Sequence, residues 1–241
     1  IDKKAGTLRC IAPGGEEVIT TGRGVMWVPF NNDDGGAPNI ANNGYTQDIQ
    51  PLEYTPLENY KTKTITARLN AEGAIHVTVS GITENKIEGS HEYIFNTDGT
   101  ITISYDYTTL IDFNGKERLR QYGLLFTLPA SFDRLTWDRI GLWTTYPEYD
   151  INRLKGSAKA LPRNLKYVEA PREVPTGEWK DNANKLGTND FKSTKDHIIR
   201  ASLKNDQNIE IIVQSDGSQS ARSWVDGEKI RFLVVGMNGP G

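Results

Sequence analysis

Asn96-Thr97-Asp98-Gly99-Thr100-Ile101-Thr102-Ile103-Ser104-Tyr105-Asp106-Tyr107 decides the fold class. From Ile101 onward every odd position is apolar or aromatic and every even one is Thr, Ser or Asp. A repeat of two is the signature of a strand with one face buried and one face wet. The Asp-Gly pair just before it marks a chain reversal, because glycine takes the positive φ that a tight hairpin demands.

Outward from that stretch the same two signals recur. Asp216-Gly217 and Asp226-Gly227 divide the end of the chain into Ile209–Gln214, Ser220–Val225 and Lys229–Val235, which read as an antiparallel meander. Further strands are expected at Lys63–Leu69, Ile75–Ser80, Glu92–Phe95, Arg120–Leu128, Arg134–Ile140, Leu165–Glu169 and Ile198–Leu203. No segment keeps a 3.6-residue period; a single helical turn fits around Glu178–Lys185. Short strands separated by Gly and Asp turns predict an all-β chain, a large antiparallel β-sandwich. Residues 1–241 are expected to form one such domain. Two stretches, Asn31–Pro51 and Pro171–Thr188, are rich in Gly, Pro and Asn and read as long loops, where β domains tend to carry function.

Composition narrows the partners. The 241 residues hold 28 Lys and Arg against 31 Asp and Glu, a net charge of −3. That balance lacks the basic face that phosphate contacts need, so nucleic acid is not an expected partner. No run approaches the roughly 18 apolar residues of a membrane span, and no basic helix suits a lipid surface. The single cysteine, Cys10, cannot form an intrachain disulfide or a thiolate cluster. The chain opens on Ile1-Asp2-Lys3-Lys4 and stops at Asn238-Gly239-Pro240-Gly241, and both ends read as cuts from a longer polypeptide.

Self-contained chemistry is not visible. No phosphate-binding glycine loop and no nucleophile elbow occurs. The three histidines, His76, His91 and His197, stand apart from one another and outside any metal motif, so each reads as a surface or strand-face residue. Asn31-Asn32-Asp33-Asp34-Gly35-Gly36 offers hard oxygens suited to calcium, but without the spacing of a calcium loop it reads more simply as a turn. No metal and no cofactor is expected. A glycosidase needs two carboxylates about 5–9.5 Å apart; Glu148, Asp150 and Asp190 sit in motif-like contexts, yet each serves equally to orient a loop. Aromatics say more. Trp137, Trp143, Tyr146 and Tyr149 crowd together, and flat aromatic faces suit sugar rings as well as sandwich cores. Trp137, in a strand, reads as core. Trp143 and Tyr146, beside Pro147, read as candidates for sugar contact.

Arg120-Gln-Tyr-Gly-Leu-Leu-Phe-Thr-Leu-Pro129, Trp137, Gly141 and Tyr146-Pro147 resemble, in order, the C-terminal β-sandwich or small-chain domain of glycoside hydrolase family 2 β-galactosidases. Asp2-Lys3-Lys4-Ala5-Gly6-Thr7-Leu8 resembles that domain's opening, Pro29–Gly36 its Asp-Asn-Asp segment, and Gly187–Lys192 the block before its last strands. The resemblance implies a sandwich of the galactose-mutarotase-like type that follows a catalytic barrel of the same chain. The catalytic glutamates belong to that barrel, so the resemblance places no catalytic residue here and implies that residues 1–241 are inactive alone. It implies a β-glycoside as the carbohydrate partner. Loop residues bordering the sugar site would be Trp143, Thr145, Tyr146, Glu148 and Asp150, then Asn32, Asp33, Asp34 and Asp190. Thr144-Thr145 stands where the family has Glu-Asn, and Trp143 where it has Pro, so galactose itself is not implied. The alternative is a free-standing carbohydrate-binding module; a sugar epimerase on the same scaffold ranks last, because no histidine sits in a matching motif. By analogy such a parent is periplasmic or secreted.

Overall fold

A computed structural model describes residues 1–28, 55–56, 60–83, 86–110, 121–141, 154–161, 179–180 and 195–238. Among them the strands, in chain order, are β1 (Leu8–Ile11), β2 (Glu17–Val28), β3 (Thr55–Pro56), β4 (Tyr60–Leu69), β5 (Ile75–Thr83), β6 (Ile87–Phe95), β7 (Ile101–Thr109), β8 (Gln121–Pro129), β9 (Arg134–Arg139), β10 (Lys155–Leu161), β11 (Trp179–Lys180), β12 (Ile198–Lys204), β13 (Glu210–Gln214), β14 (Ser220–Asp226) and β15 (Lys229–Asn238). The described residues contain no helix. The antiparallel β-sandwich expected from the alternation is what forms.

Three sheets build it. A six-stranded central sheet runs β1-β2-β8-β15-β14 with β3 on β2; a four-stranded sheet runs β4-β5-β6-β7; a five-stranded sheet runs β11-β10-β9-β12-β13. The central sheet is buried on both sides at its middle, which is why β8 reads Leu124-Leu125-Phe126-Thr127-Leu128 instead of alternating. Leu124, Phe126 and Leu128 lie opposite Val234, Phe232 and Ile230 of β15 and join one core with Val77, Val79 and Tyr93 of the four-stranded sheet. Leu135, Trp137, Ala158, Ala201 and Leu203 of the five-stranded sheet belong to the same core. Leu125 and Leu233 point the other way and are buried as well.

β7 bears out the alternation, with odd residues half-buried and even residues exposed up to Tyr107. Its turn is one of a set. The Asn96 N–H donates to the Thr100 carbonyl at 2.9 Å and the Gly99 N–H to the Asn96 carbonyl at 3.1 Å, with Gly99 at φ 86. The same frame closes Asn70–Ala74 around Gly73 and Asn205–Ile209 around Asn208, whose φ is 64. Glycine, or asparagine in its place, supplies the left-handed residue that such a loop requires.

Two expectations are corrected. The last three strands are not one meander: β14 and β15 pair across the Gly227 turn, but β13 pairs with β12 in the other sheet. At Asp216-Gly217 the Ser215 and Gly217 N–H groups donate to Ile199 and Ile198, so the turn folds onto β12 and carries the chain from one sheet to the next. The helical turn at Glu178–Lys185 is also overturned at Trp179–Lys180, which form β11 parallel to Ala160–Leu161. The rest of that stretch, and the strand expected at Leu165–Glu169, lie outside the described residues.

Candidate functional site

Trp143, Thr145, Tyr146, Glu148 and Asp150 fall between β9 and β10, Asn32, Asp33 and Asp34 between β2 and β3, and Asp190 between β11 and β12. All lie outside the described residues. The strand ends that flank them are described, and their registers place those ends together. Val28 pairs with Thr55 where the β2–β3 connection begins and ends. Trp27 and Asn238 both pair with Gln121, so the same edge holds the start of β8 and the end of β15. Ser220, opposite Val235, begins β14 at that edge. The five-stranded sheet joins there. Lys195 bridges to Ala221, the Ile198 N–H donates to the Gln219 carbonyl at 2.9 Å, and Ile198 pairs with Arg139 at the end of β9. The Arg139 N–H in turn donates to the Leu154 carbonyl, closing the base of the β9–β10 connection. The opposite end carries tight turns, at Ala12–Glu16, Asn205–Ile209 and Gly227. The β2–β3 and β9–β10 connections thus begin and end at one end of the sandwich; the β11–β12 connection, which holds Asp190, starts beside Leu161 at the far end and finishes at this one, at Lys195.

His197 sits at the root of that end. Its backbone is left-handed, φ 56, its carbonyl accepts from the Ile140 N–H at 2.8 Å, and its Nδ1 donates to the Gly217 carbonyl at 3.0 Å. Because a carbonyl only accepts, the proton is on Nδ1. Asp196 accepts from the Ser220 hydroxyl at 2.8 Å. Lys195, 1% exposed, holds its ammonium 4.9 Å from the Trp137 ring. Trp137 is core, as its strand position implies, and Gly156 across from it leaves space for the indole. Sequence gave no signal for His197 as a joint: a non-glycine left-handed residue is set by the hydrogen bonds around it.

A second polar cluster lies between the four-stranded and central sheets. Tyr60, His91, Tyr93, Tyr105 and Tyr107 face inward, with Tyr93 and His91 edge to face at 5.2 Å and Tyr105 against Tyr122 at 5.7 Å. Gly24 and Gly236 lie under it: a Cβ there would come within 2.5 Å of the Tyr107 hydroxyl and 2.6 Å of the Tyr105 hydroxyl. Burial pushes Tyr60 and Tyr105 up to about 12, and Tyr93 and Tyr107 further still. These phenols stay protonated and pack; none is a base or nucleophile at ordinary pH. The odd-position pattern of β7 foretold their facing inward, but not that His91, 2% exposed, would lie among them.

The described carboxylates whose ionisation is shifted, Asp2, Asp98, Glu210 and Asp216, are all held below the usual range. Asp2 accepts from the Ala5 and Lys4 amides, Asp98 from Thr100, and Asp216 from Ser218. At Glu210 the upward push of burial is outweighed by Ser202 and Arg200. A general acid needs the opposite shift. The described residues also hold no group of three or more metal-ligating side chains and no helix long and apolar enough to cross a membrane.

Residues 1–150 match the family model of the beta galactosidase small chain. The chain belongs to this family. Among the curated proteins none matches it. The small-chain match runs from the opening Asp-Lys turn to Asp150 and so takes in Asn32–Asp34 and Trp143–Asp150; Asp190 lies beyond it. As a beta-galactosidase small-chain domain, it is an all-β piece related to a glycosidase that has a larger catalytic part.

Proposed function

We propose that residues 1–241 are the accessory C-terminal sandwich of a family 2 glycoside hydrolase, a single domain of the galactose-mutarotase-like type. It packs on the catalytic barrel of the same polypeptide and lends loop residues to the rim of the β-glycoside site. The barrel's two carboxylates perform hydrolysis with retention. The observation that carries this reading is that the connections bearing Trp143–Asp150 and Asn32–Asp34 are stemmed at one end of the sandwich, where the connection bearing Asp190 also finishes. A rigid two-layer base with long connections on one end is how β domains present binding residues.

The test uses purified residues 1–241 with an aryl β-galactoside, alone and with the barrel-bearing part of the parent chain added. No release of the phenol is expected alone, and release is expected on addition. Hydrolysis by the domain alone overturns the reading. Calorimetry of the same domain with galactosides separates it from a free-standing binding module: millimolar-range binding that Trp143→Ala abolishes would favour the module.

A further inference from the structure

The four-stranded sheet is one continuous stretch, residues 60–109, and among the described residues its strands pair only with one another. Among the described residues no ladder hydrogen bond ties it to the central sheet. What holds it there is a layer of side chains, Val77, Val79, Tyr93 and Tyr105 against Leu124, Phe126 and Val234, with His91 in the middle. The His91 Nε2 and the Tyr93 hydroxyl are buried, and among the described residues neither has a hydrogen-bond partner. The other ring nitrogen, Nδ1, lies 3.4 Å from the Tyr107 hydroxyl.

We propose that β4–β7 form an acid-opened flap, which comes away from the central sheet and unfolds locally as a unit when His91 takes up a proton. The surroundings of the ring require it. Facing His91 are Tyr93 on its own strand, Tyr60 on β4, Val79 on β5, Tyr105 and Tyr107 on β7, Gly24 on β2 and the backbone of Gly6. None of these is a carboxylate, so among the described residues an imidazolium there has no counter-charge; beyond the Gly6 backbone and the Tyr107 hydroxyl its solvation must come from water. Opening gives the ring water without disturbing β8 or β15, because among the described residues no backbone ladder joins β4–β7 to the central sheet.

Burial pushes His91 down to about 4 from 6.5, against a smaller upward pull from the Gly6 backbone. The closed state therefore binds the proton less well than the open one. His91 leaves closure undisturbed well above pH 6.5 and weakens it as pH falls from there through about 4, where the opening constant is about a hundredfold larger. Opening also breaks the hydrogen bond from Tyr105 to Gln219, whose carbonyl holds Ile198 beside His197. The end of the sandwich that bears the long connections thus loses one of its ties in acid.

Residue-resolved amide exchange of the intact chain, corrected for the intrinsic pH dependence of exchange, tests this between pH 7 and 4. Protection in β4–β7 should fall about a hundredfold while β8, β12 and β15 keep theirs, and His91→Gln should flatten the response. An unchanged β4–β7, an equal fall in the Gln variant, or a parallel fall in β8 and β15 overturns the flap. Should the variant not fold, the ring C–H resonances of His91 in the parent chain decide. Their titration should coincide with the loss of protection, and a midpoint near 6.5 with protection intact overturns the proposal.

Discussion

The Tyr105 hydroxyl donates to Gln219 Oε1 at 2.5 Å, tying the outermost strand of the four-stranded sheet to the turn that leads into β14. The two residues lie far apart in sequence and on different sheets. Tyr105→Phe removes the donor and leaves a part-buried amide oxygen unpaired. It should cost about 1–2 kcal/mol, read as a lower urea midpoint at constant slope. A midpoint unchanged from the parent would mean that the tie contributes nothing.

Gly24 of β2 and Tyr107 fit together only because one has no side chain. A Cβ at Gly24 would lie 2.5 Å from the Tyr107 hydroxyl, so Gly24→Ala should destabilise by about 1–3 kcal/mol through overpacking. Removing the hydroxyl restores space. In a double-mutant cycle, Tyr107→Phe should recover at least half of the loss. Additive single effects would place the clash elsewhere.

Asn205, 2% exposed, closes the β12–β13 turn by accepting from the Gln207 and Ile209 amides, and its Nδ2 donates to Glu16 at 2.7 Å. Asn205→Asp turns that bond into two opposed carboxylates. A loss of about 2–4 kcal/mol is expected at pH 7. The new carboxyl is raised above its unfolded value, so the folded state binds its proton more tightly. The gap between variant and parent should therefore narrow as pH falls toward 4, measured as the difference in urea midpoints. A gap that widens in acid contradicts the arrangement.

Gly99 isolates the cost of a left-handed residue. Its φ is 86 and a Cβ there would meet nothing within 4 Å. Gly99→Ala should cost about 1–2 kcal/mol from backbone strain alone, whereas Asn208→Ala should cost somewhat less, since asparagine already accepts part of that strain. Thermal melts of the two variants check the order.

Local features were legible in the chain because their causes are local. Alternation from Ile101 to Tyr107 and the Asp-Gly at 226 act over a few residues, and both became the strand and hairpin they indicate. The Asp-Gly at 216 looks the same in sequence and does something different, because a turn reverses the chain without choosing the ladder that follows. β2 was missed as a strand, since Gly22 and Gly24 interrupt its pattern; those glycines exist to admit Phe126 and Tyr107, residues of other strands. β10, Lys155-Gly-Ser-Ala-Lys-Ala-Leu161, is too weakly apolar to announce itself and is set by its partner β9. The motif order marked the small-chain family that the match to residues 1–150 bears out.

The sequence by itself thus determined an all-β chain, the hairpins at Gly99 and Gly227 and its family, all of which rest on neighbours within a few residues or on ordered motifs. Only the tertiary structure decided that β13 leaves its meander, that His91 is buried among tyrosines, and that the stems of the β2–β3 and β9–β10 connections share one end. The reason is physical. Side-chain alternation says that a strand has a buried face, whereas which face it meets depends on complementary volumes and polar partners brought from distant strands, as Gly24 meets Tyr107 and Tyr105 meets Gln219.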